Sequence, residues 1–421
     1  DDHDRSGRYT CRDFGQNYLN SMDAKGNPVI FTNGDNDTFP LWYNQETEGV
    51  RTDARVCNLS YLQTDWYIDQ MRRPAYDSPS LPISWTRLQY VTGTREGIPV
   101  QPDALQQVID YYKDSPEDLK QMLGDNPYEL KNIIRHWVLN DNPDLQIFPT
   151  DSIVVTVDKE AVKRSGMMIA ADSIPDVMHI SLKGKRAIYK SEMMMLEMIS
   201  QANWERPLYM STTVGPDNYG HLGDNFVQEG LACRITPFDT KQSGRTIDSE
   251  RMYNNMMNKF KYGGLKENPD IYLDETVIRM CYTHRRLFNQ LAQQLLKEGQ
   301  KDKALKVLQR AEEEIPGSIV PHEAFYGHSL ELADAWLALG HKAEAEKLLN
   351  AVGQNAKEYI EWYLSLNTQR LLQSSRECLM QIYILNDIAK TWEPIDKKKA
   401  ETYRMEVNNY ASRCHQRGMS L

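Results

Sequence analysis

V-I-F-T-N-G-D-N-D-T-F-P-L-W-Y at residues 29–43, followed by R-V-C-N-L-S-Y-L-Q-T-D-W-Y-I-D at 55–69, is the stretch on which the fold turns. It reads as strand, acidic turn, helix, strand and turn. Val29, Ile30 and Phe31 follow Pro28 as a short apolar run of the kind a buried parallel strand requires, and Asn33-Gly34 stops it. Asp37 is a natural N-cap for the helix that follows, with Pro40 early in the first turn, where its missing N–H costs nothing. Residues 55–59 form a second buried strand that ends in the same way at Asn58, Ser60, Thr64 and Asp65. In an open parallel sheet, the loops at the carboxyl ends of adjacent strands form the usual binding crevice. Asp35, Asp37 and Asp65 are therefore expected to converge there, with Asn36, Thr38 and Asn58 beside them. Trp42 and Trp66, each near the start of the helix after its strand, would offer an aromatic wall.

Capping and turn roles account for several of these residues without any ligand. They explain Asp37 and Asp65 well, and explain Asp35, Asn36 and the Trp42-Tyr43 pair less well. The turn does not suit a dinucleotide. The phosphate-binding fingerprint needs G-x-G-x-x-G at this place, whereas Gly34 stands alone among acids that would repel a pyrophosphate. A hydroxyl-rich sugar or a divalent cation suits carboxylates and amides better. No cofactor, no set of metal ligands and no catalytic residue is assigned from the sequence.

At 421 residues the chain has room for two or three domains, and a hydrophobic content of 40% with 10% aromatics argues against disorder. The net charge of −10 speaks against nonspecific nucleic-acid binding. No window approaches the roughly 18 consecutive apolar residues of a membrane helix, and no signal-peptide core opens the chain. A soluble chain is expected. It starts at Asp1 without a methionine, as a piece of a longer protein would. Six cysteines lie far apart with no C-x-x-C pair, and the nine histidines are scattered with no H-E-x-x-H. These spacings exclude a zinc ribbon, a thioredoxin-type site and a zincin. No G-x-S-x-G nucleophile elbow occurs either.

The expected organisation is an α/β domain over residues 1–273, interrupted by a helical and irregular insertion at about 75–150, and an all-α domain over 274–421. Within the first, residues 9–22 read as a helix, 153–157 as a strand, 191–202 as a helix, and 208–212 and 226–234 as further strands. A hairpin is expected around Lys183-Gly184-Lys185. Alternating strands and helices argue for a mostly parallel, Rossmann-like sheet. The methionine run at 193–198 reads as core filling. In the second domain Leu291-Ala292, Gly299, Ala304, Leu308, Ala311 and Pro316 have tetratricopeptide spacing, and Leu332-Ala333, Gly340, Ala345 and Leu349 repeat it. A tetratricopeptide-like helical array follows, either capping the first domain or binding peptide.

The motif F-T-N-G-D-N-D-T-F-P-L-W-Y at 31–43, with residues 48–71 after it, resembles the soluble C-terminal region of a bacterial family of multi-pass membrane proteins. That family was long labelled a domain of unknown function and is related to the eukaryotic transmembrane protein O-mannosyltransferases of the GT-C type. D-H-D-R-S-G-R-Y-T-C-R-D-F at 2–14 is similar to the segment that follows its last membrane helix, and P-L-Y-M-S-T-T at 207–213 also fits. The resemblance implies a module at the periplasmic face of the inner membrane, with the catalytic acid and the lipid-linked sugar site in an upstream transmembrane region. That region would be its partner, together with an acceptor protein or glycan. The resemblance assigns no catalytic residue to this chain.

Three functional readings remain open at this stage. The first is a noncatalytic extracytoplasmic accessory or binding module of a membrane glycosyltransferase. The second is a self-contained α/β enzyme acting on a sugar or phosphoester through the acidic strand ends. The third is an interaction scaffold built on the helical array.

Overall fold

A computed structural model describes residues 5–169 and 173–419. The opening residues of the 2–14 segment therefore lie outside the described residues. The chain divides into two compact units, one of residues 12–261 and one of residues 1–11 with 262–421.

Among the described residues the first unit holds nine strands: β1 (Val29–Thr32), β2 (Arg55–Asn58), β3 (Gly97–Pro99), β4 (Ser152–Thr156), β5 (Val177–Ser181), β6 (Ala187–Tyr189), β7 (Leu208–Ser211), β8 (Phe226–Gln228) and β9 (Ala232–Ile235). Five of them form one sheet in the order β2-β1-β7-β9-β8. As expected, β1 and β2 are adjacent and parallel, and β1 is also parallel to β7. All four residues of β1 and of β2 are buried.

The sheet is mixed, which corrects the expectation of a mostly parallel one. β9 runs antiparallel to both β7 and β8. Residues 226–234 are not one strand but the two arms of a hairpin, broken at Glu229-Gly230. Gly230 has a φ of 149°, and a Cβ there would sit 2.6 Å from the Ser21 hydroxyl. So short a connection can only join antiparallel strands. β4 does not join this sheet but pairs with β5, and β6 pairs with β3, both antiparallel. The turn at Lys183-Gly184-Lys185 therefore separates two strands that pair with other partners, and no hairpin forms across it.

Helix α1 (Thr10–Ser21) precedes β1, and α2 (Asp35–Glu46) connects β1 to β2. α3 (Asp65–Met71) follows β2 after a single turn of 3₁₀ helix at Tyr61–Gln63. Between β2 and β4 lie the short helices Ala104–Tyr111, Pro116–Leu123 and Leu130–Ile133 together with β3. Helix Lys190–Gln201 carries the methionine run inward, with Met193, Met194, Met195 and Met198 at most 1% exposed. Their unbranched side chains fill the space beneath the sheet.

The second unit is helical. Helices Glu275–Lys297 and Lys301–Glu314 form one packed pair, and Ser329–Ala338 and Lys342–Ser365 form another. Helices Ser375–Trp392 and Lys397–Gln416 make a third. Gly299 and Gly340 take left-handed backbone, φ 74° and 83°, at the ends of the leading helices, which is why glycine stands there. Leu291, Ala292, Ala304, Leu308 and Ala311 are buried, as are Leu332, Ala333, Ala345 and Leu349. The buried Arg285 guanidinium donates to the carbonyls of Ile315, Val320 and Pro321, which fastens the long connection between the first two pairs.

Among the described residues no helix is long and apolar enough to cross a membrane.

Candidate functional site

The carboxyl ends of β1, β2 and β7 open onto a network of short polar side chains. Its centre is the turn at Gly34, whose φ of 88° admits glycine readily and other residues only under strain. This turn starts α2 at Asp35, with Gly34 itself at the N-cap position. Asp37 is therefore not the N-cap, a correction to the sequence reading. It stands in the third helical position, where its Oδ2 reaches back to accept the Asn33 N–H at 3.1 Å and the Thr213 hydroxyl at 3.0 Å. An acid at this position, folded back over the helix entrance, ties the end of β1 to the first turn of α2. Asp37 is 3% exposed, and burial pushes its carboxyl above the usual range against these hydrogen bonds. Its Oδ1 is buried with no partner among the described residues.

Around Asp37 the network extends over all three strand ends. Thr38 Oγ1 lies 2.7 Å from Thr32 Oγ1 and accepts from Asn58 Nδ2 at 2.9 Å. The Ser60 hydroxyl donates to Asn33 Oδ1 at 2.5 Å. From β7, Ser211 and Thr213 lie 2.7 Å apart, and each is 3.1 Å from the Tyr18 hydroxyl. Burial pushes Tyr18 up to about 12, so that hydroxyl keeps its proton throughout the neutral range.

The three carboxylates stand in different surroundings. Asp35 and Asn36 are exposed at the start of α2. Asp65, the first residue of α3, accepts the Thr92 N–H at 3.4 Å and lies 3.7 Å from Arg87. The Thr92 N–H, with Arg87 adding to it, holds Asp65 below the usual carboxylate range. Among the described residues no hydrogen bond or ion pair links Asp35, Asp37 and Asp65.

The aromatic residues do come together. Phe39 stacks on Trp42 with ring centres 5.7 Å apart, and Trp42 stacks on Tyr61 at 6.2 Å. Tyr61 lies 5.9 Å from Trp66, and Trp66 is 5.5 Å from Tyr67. Phe39 is 46% and Trp66 50% exposed, so both ends of the row face solvent. Sequence reasoning found Trp42 and Trp66 but missed Phe39 and Tyr61. The helical spacing of Phe39 and Trp42, three residues apart on one face of α2, was the available signal. It also missed Tyr18, Ser211 and Thr213, which no local spacing connects to Asp37.

Trp42 and Tyr67 also line a cavity of about 420 Å³ on the outer side of β2, with Arg55, Glu46 and Tyr76. Arg55 is buried and donates from Nη2 to the carbonyls of Gln70 and Arg73 at the end of α3, while Nη1 has no partner among the described residues. Burial draws its pKa below the usual arginine value. No group of three or more His, Cys, Asp or Glu among the described residues is placed to hold a metal ion.

The family profile called TMEM260-associated domain 2 matches residues 11–255, more than half of the chain. The chain belongs to this family. The match contains β1 to β9 and the whole strand-end network. The family's description ties it to a transmembrane protein, and the bacterial origin and GT-C relationship expected above go beyond that description. No curated protein and no solved structure matches the chain.

Proposed function

We propose that this chain is a noncatalytic, extracytoplasmic recognition module of a membrane-embedded protein glycosyltransferase of the GT-C type, and that its strand-end surface holds a glycan or a glycosylated acceptor. The observation that carries this reading is the stacked row Phe39–Trp42–Tyr61–Trp66, open to solvent at both ends and set beside the hydroxyl and amide groups of the strand ends. Exposed aromatic faces pack against the C–H face of a sugar ring, while hydroxyls and amides exchange hydrogen bonds with its edge. Membership in a family associated with a transmembrane protein supports a place beside a membrane-embedded partner in the same polypeptide. On this reading the module faces the periplasm, and the helical unit is a tetratricopeptide-like array that caps the module or contacts the acceptor.

The chemistry would belong to the transmembrane partner, so the chain alone binds without turning over. Incubation of the chain with a lipid-linked sugar and an acceptor peptide is expected to yield no glycopeptide, while saturable glycan binding remains. Transfer of sugar by the chain alone would overturn the proposal, because a carboxylate of the strand ends would then be acting as a catalyst.

A further inference from the structure

An edge strand whose outward backbone groups carry no hydrogen bond among the described residues lies in one of the two small sheets of the first unit, away from the strand-end network in sequence. The pairing of β4 with β5 fixes which backbone groups of β5 are used. Hydrogen bonds from Val157 N–H to Asp176 O and from Leu182 N–H to Asp151 O bracket the ladder, 2.9 and 2.7 Å long. Inward-bonding positions of an antiparallel strand alternate, so Met178 and Ile180 bond to β4 and the backbone groups of Val177, His179 and Ser181 face outward.

The outer edges of β4, β2 and β8 are met by other groups. The outer edge of β4 is met by Tyr128, whose carbonyl accepts the Val154 N–H at 3.0 Å, and by Glu129 on Thr156. On β2 the Tyr67 hydroxyl accepts the Asn58 N–H at 2.9 Å. On β8 the backbone of Gln228 is bonded by Thr246 and Asp248. Among the described residues no hydrogen bond reaches the outward N–H or C=O of Val177, His179 or Ser181. No lysine, proline or bulge within β5 protects this edge in the usual manner.

These same three residues line a groove of about 740 Å³ whose facing wall includes His221, Asp224, Phe238 and Asp239. That volume is in the range of ligand clefts, about 300–1,000 Å³. The lining includes the carboxylates of Asp176, Asp224 and Asp239 and no lysine or arginine. Lys159 pairs with Asp176 at 2.6 Å, Asp224 lies 3.8 Å from the His221 ring and Asp239 accepts the Gln242 N–H at 2.8 Å, so among the described residues no lysine or arginine offsets Asp224 or Asp239. An unpaired strand edge beside an acidic wall fits one occupant, an extended polypeptide with basic side chains. We infer that β5 is a strand-addition site, at which an extended segment carrying lysine or arginine at alternate positions pairs with Val177, His179 and Ser181 while its basic groups face Asp224 and Asp239. Main-chain bonds would supply affinity and the acidic wall would supply selectivity. This inference is independent of the glycan reading and concerns a different surface.

The test uses the full chain and a fluorescein-labelled hexapeptide of alternating lysine and valine, followed by fluorescence anisotropy. Saturable binding that weakens with added salt is expected. The same peptide N-methylated at alternate residues keeps its charge but loses its donors, and should bind at least about tenfold more weakly, the loss of one to two net hydrogen bonds. His179→Pro should weaken binding similarly and His179→Ala should leave it nearly intact, because the backbone N–H is what the site uses. Asp224→Asn should weaken it several-fold. Equal binding of the N-methylated peptide, equal binding of a glutamate-valine peptide, or no binding at millimolar peptide would overturn the inference. The N-methylated peptide keeps the test decisive even if His179→Pro fails to fold.

Discussion

Asp37 is the residue on which the strand ends close. It is nearly inaccessible, yet two donors from different elements converge on one of its oxygens, the Asn33 amide before α2 and the Thr213 hydroxyl after β7. Asp37→Ala removes both hydrogen bonds at once, and each contributes about 0.5–1.5 kcal/mol net where the donor is only partly buried. A stability loss of about 1–3 kcal/mol on urea denaturation is expected. Asp37→Asn keeps the shape and one acceptor and should cost less. A loss no larger than that of an exposed substitution would show that Thr213 and Asn33 find other partners. Much of this residue was legible in the sequence: Asn33-Gly34 followed by acids marked a strand end entering a helix. Its partner from β7 was not, because about 175 residues separate Asp37 from Thr213 and only the folded sheet brings β7 beside β1. Asp65 shows the opposite failure. Its position at the start of α3 was readable, but Arg87 and Thr92, which hold its carboxylate, lie beyond a proline-rich stretch whose path has no local signal.

At the scale of elements, the β8–β9 hairpin places Glu229 at 0% exposure against Tyr209, whose hydroxyl donates to it at 2.8 Å. Arg234 and Arg251 each lie 3.7 Å from its carboxylate, and both also reach Asp23. Burial pushes Glu229 up to about 7 in spite of the two guanidinium groups. The unfolded chain releases this proton near 4.5, so between these values the folded state binds more protons and stability falls as pH rises. The first unit should lose on the order of 1–3 kcal/mol between pH 5 and pH 8 from this group, and Glu229→Gln should flatten that slope. Denaturation at several pH values checks it, and an unchanged slope in Glu229→Gln would assign the pH dependence elsewhere. Element by element, most strands and helices were readable from apolar runs and turn residues. The direction of β9 was not, because Gln228-Glu229-Gly230-Leu231 looks as much like a strand interrupted by one glycine as like a tight turn. The alternation of strands and helices gave the mostly parallel sheet, and reading 226–234 as one strand left out the hairpin that makes the sheet mixed. The helix pairs of the second unit were readable because Gly299 and Gly340 stop helices that also show a buried face.

Across the whole molecule, Glu229 and His284 are expected to make the two units answer pH in opposite senses. His284 in the helical unit is buried against the Tyr262 ring, 5.1 Å between ring centres, and burial drives its pKa down to about 3. Between pH 6.5 and that value the unfolded chain binds the proton and the folded one does not, so the helical unit loses stability as pH falls. Hydrogen exchange read separately over 12–261 and 262–421 should show protection of the helical unit declining from pH 7 to pH 5, and that of the first unit rising. Parallel trends would mean that other groups dominate. The fold was legible at this scale as sheet unit followed by helical unit, whereas the candidate surface was only half legible, since the aromatic row needs Tyr61 to join Trp42 to Trp66. The central claim is that this row binds a glycan. The most direct measurement is a tryptophan-fluorescence titration of the full chain with a panel of neutral oligosaccharides, mannobiose among them, alongside Trp66→Ala and Phe39→Ala. The account predicts a saturable change for at least one saccharide, weakened about tenfold or more in each variant. No change at tens of millimolar with any saccharide, or equal binding by both variants, would contradict it.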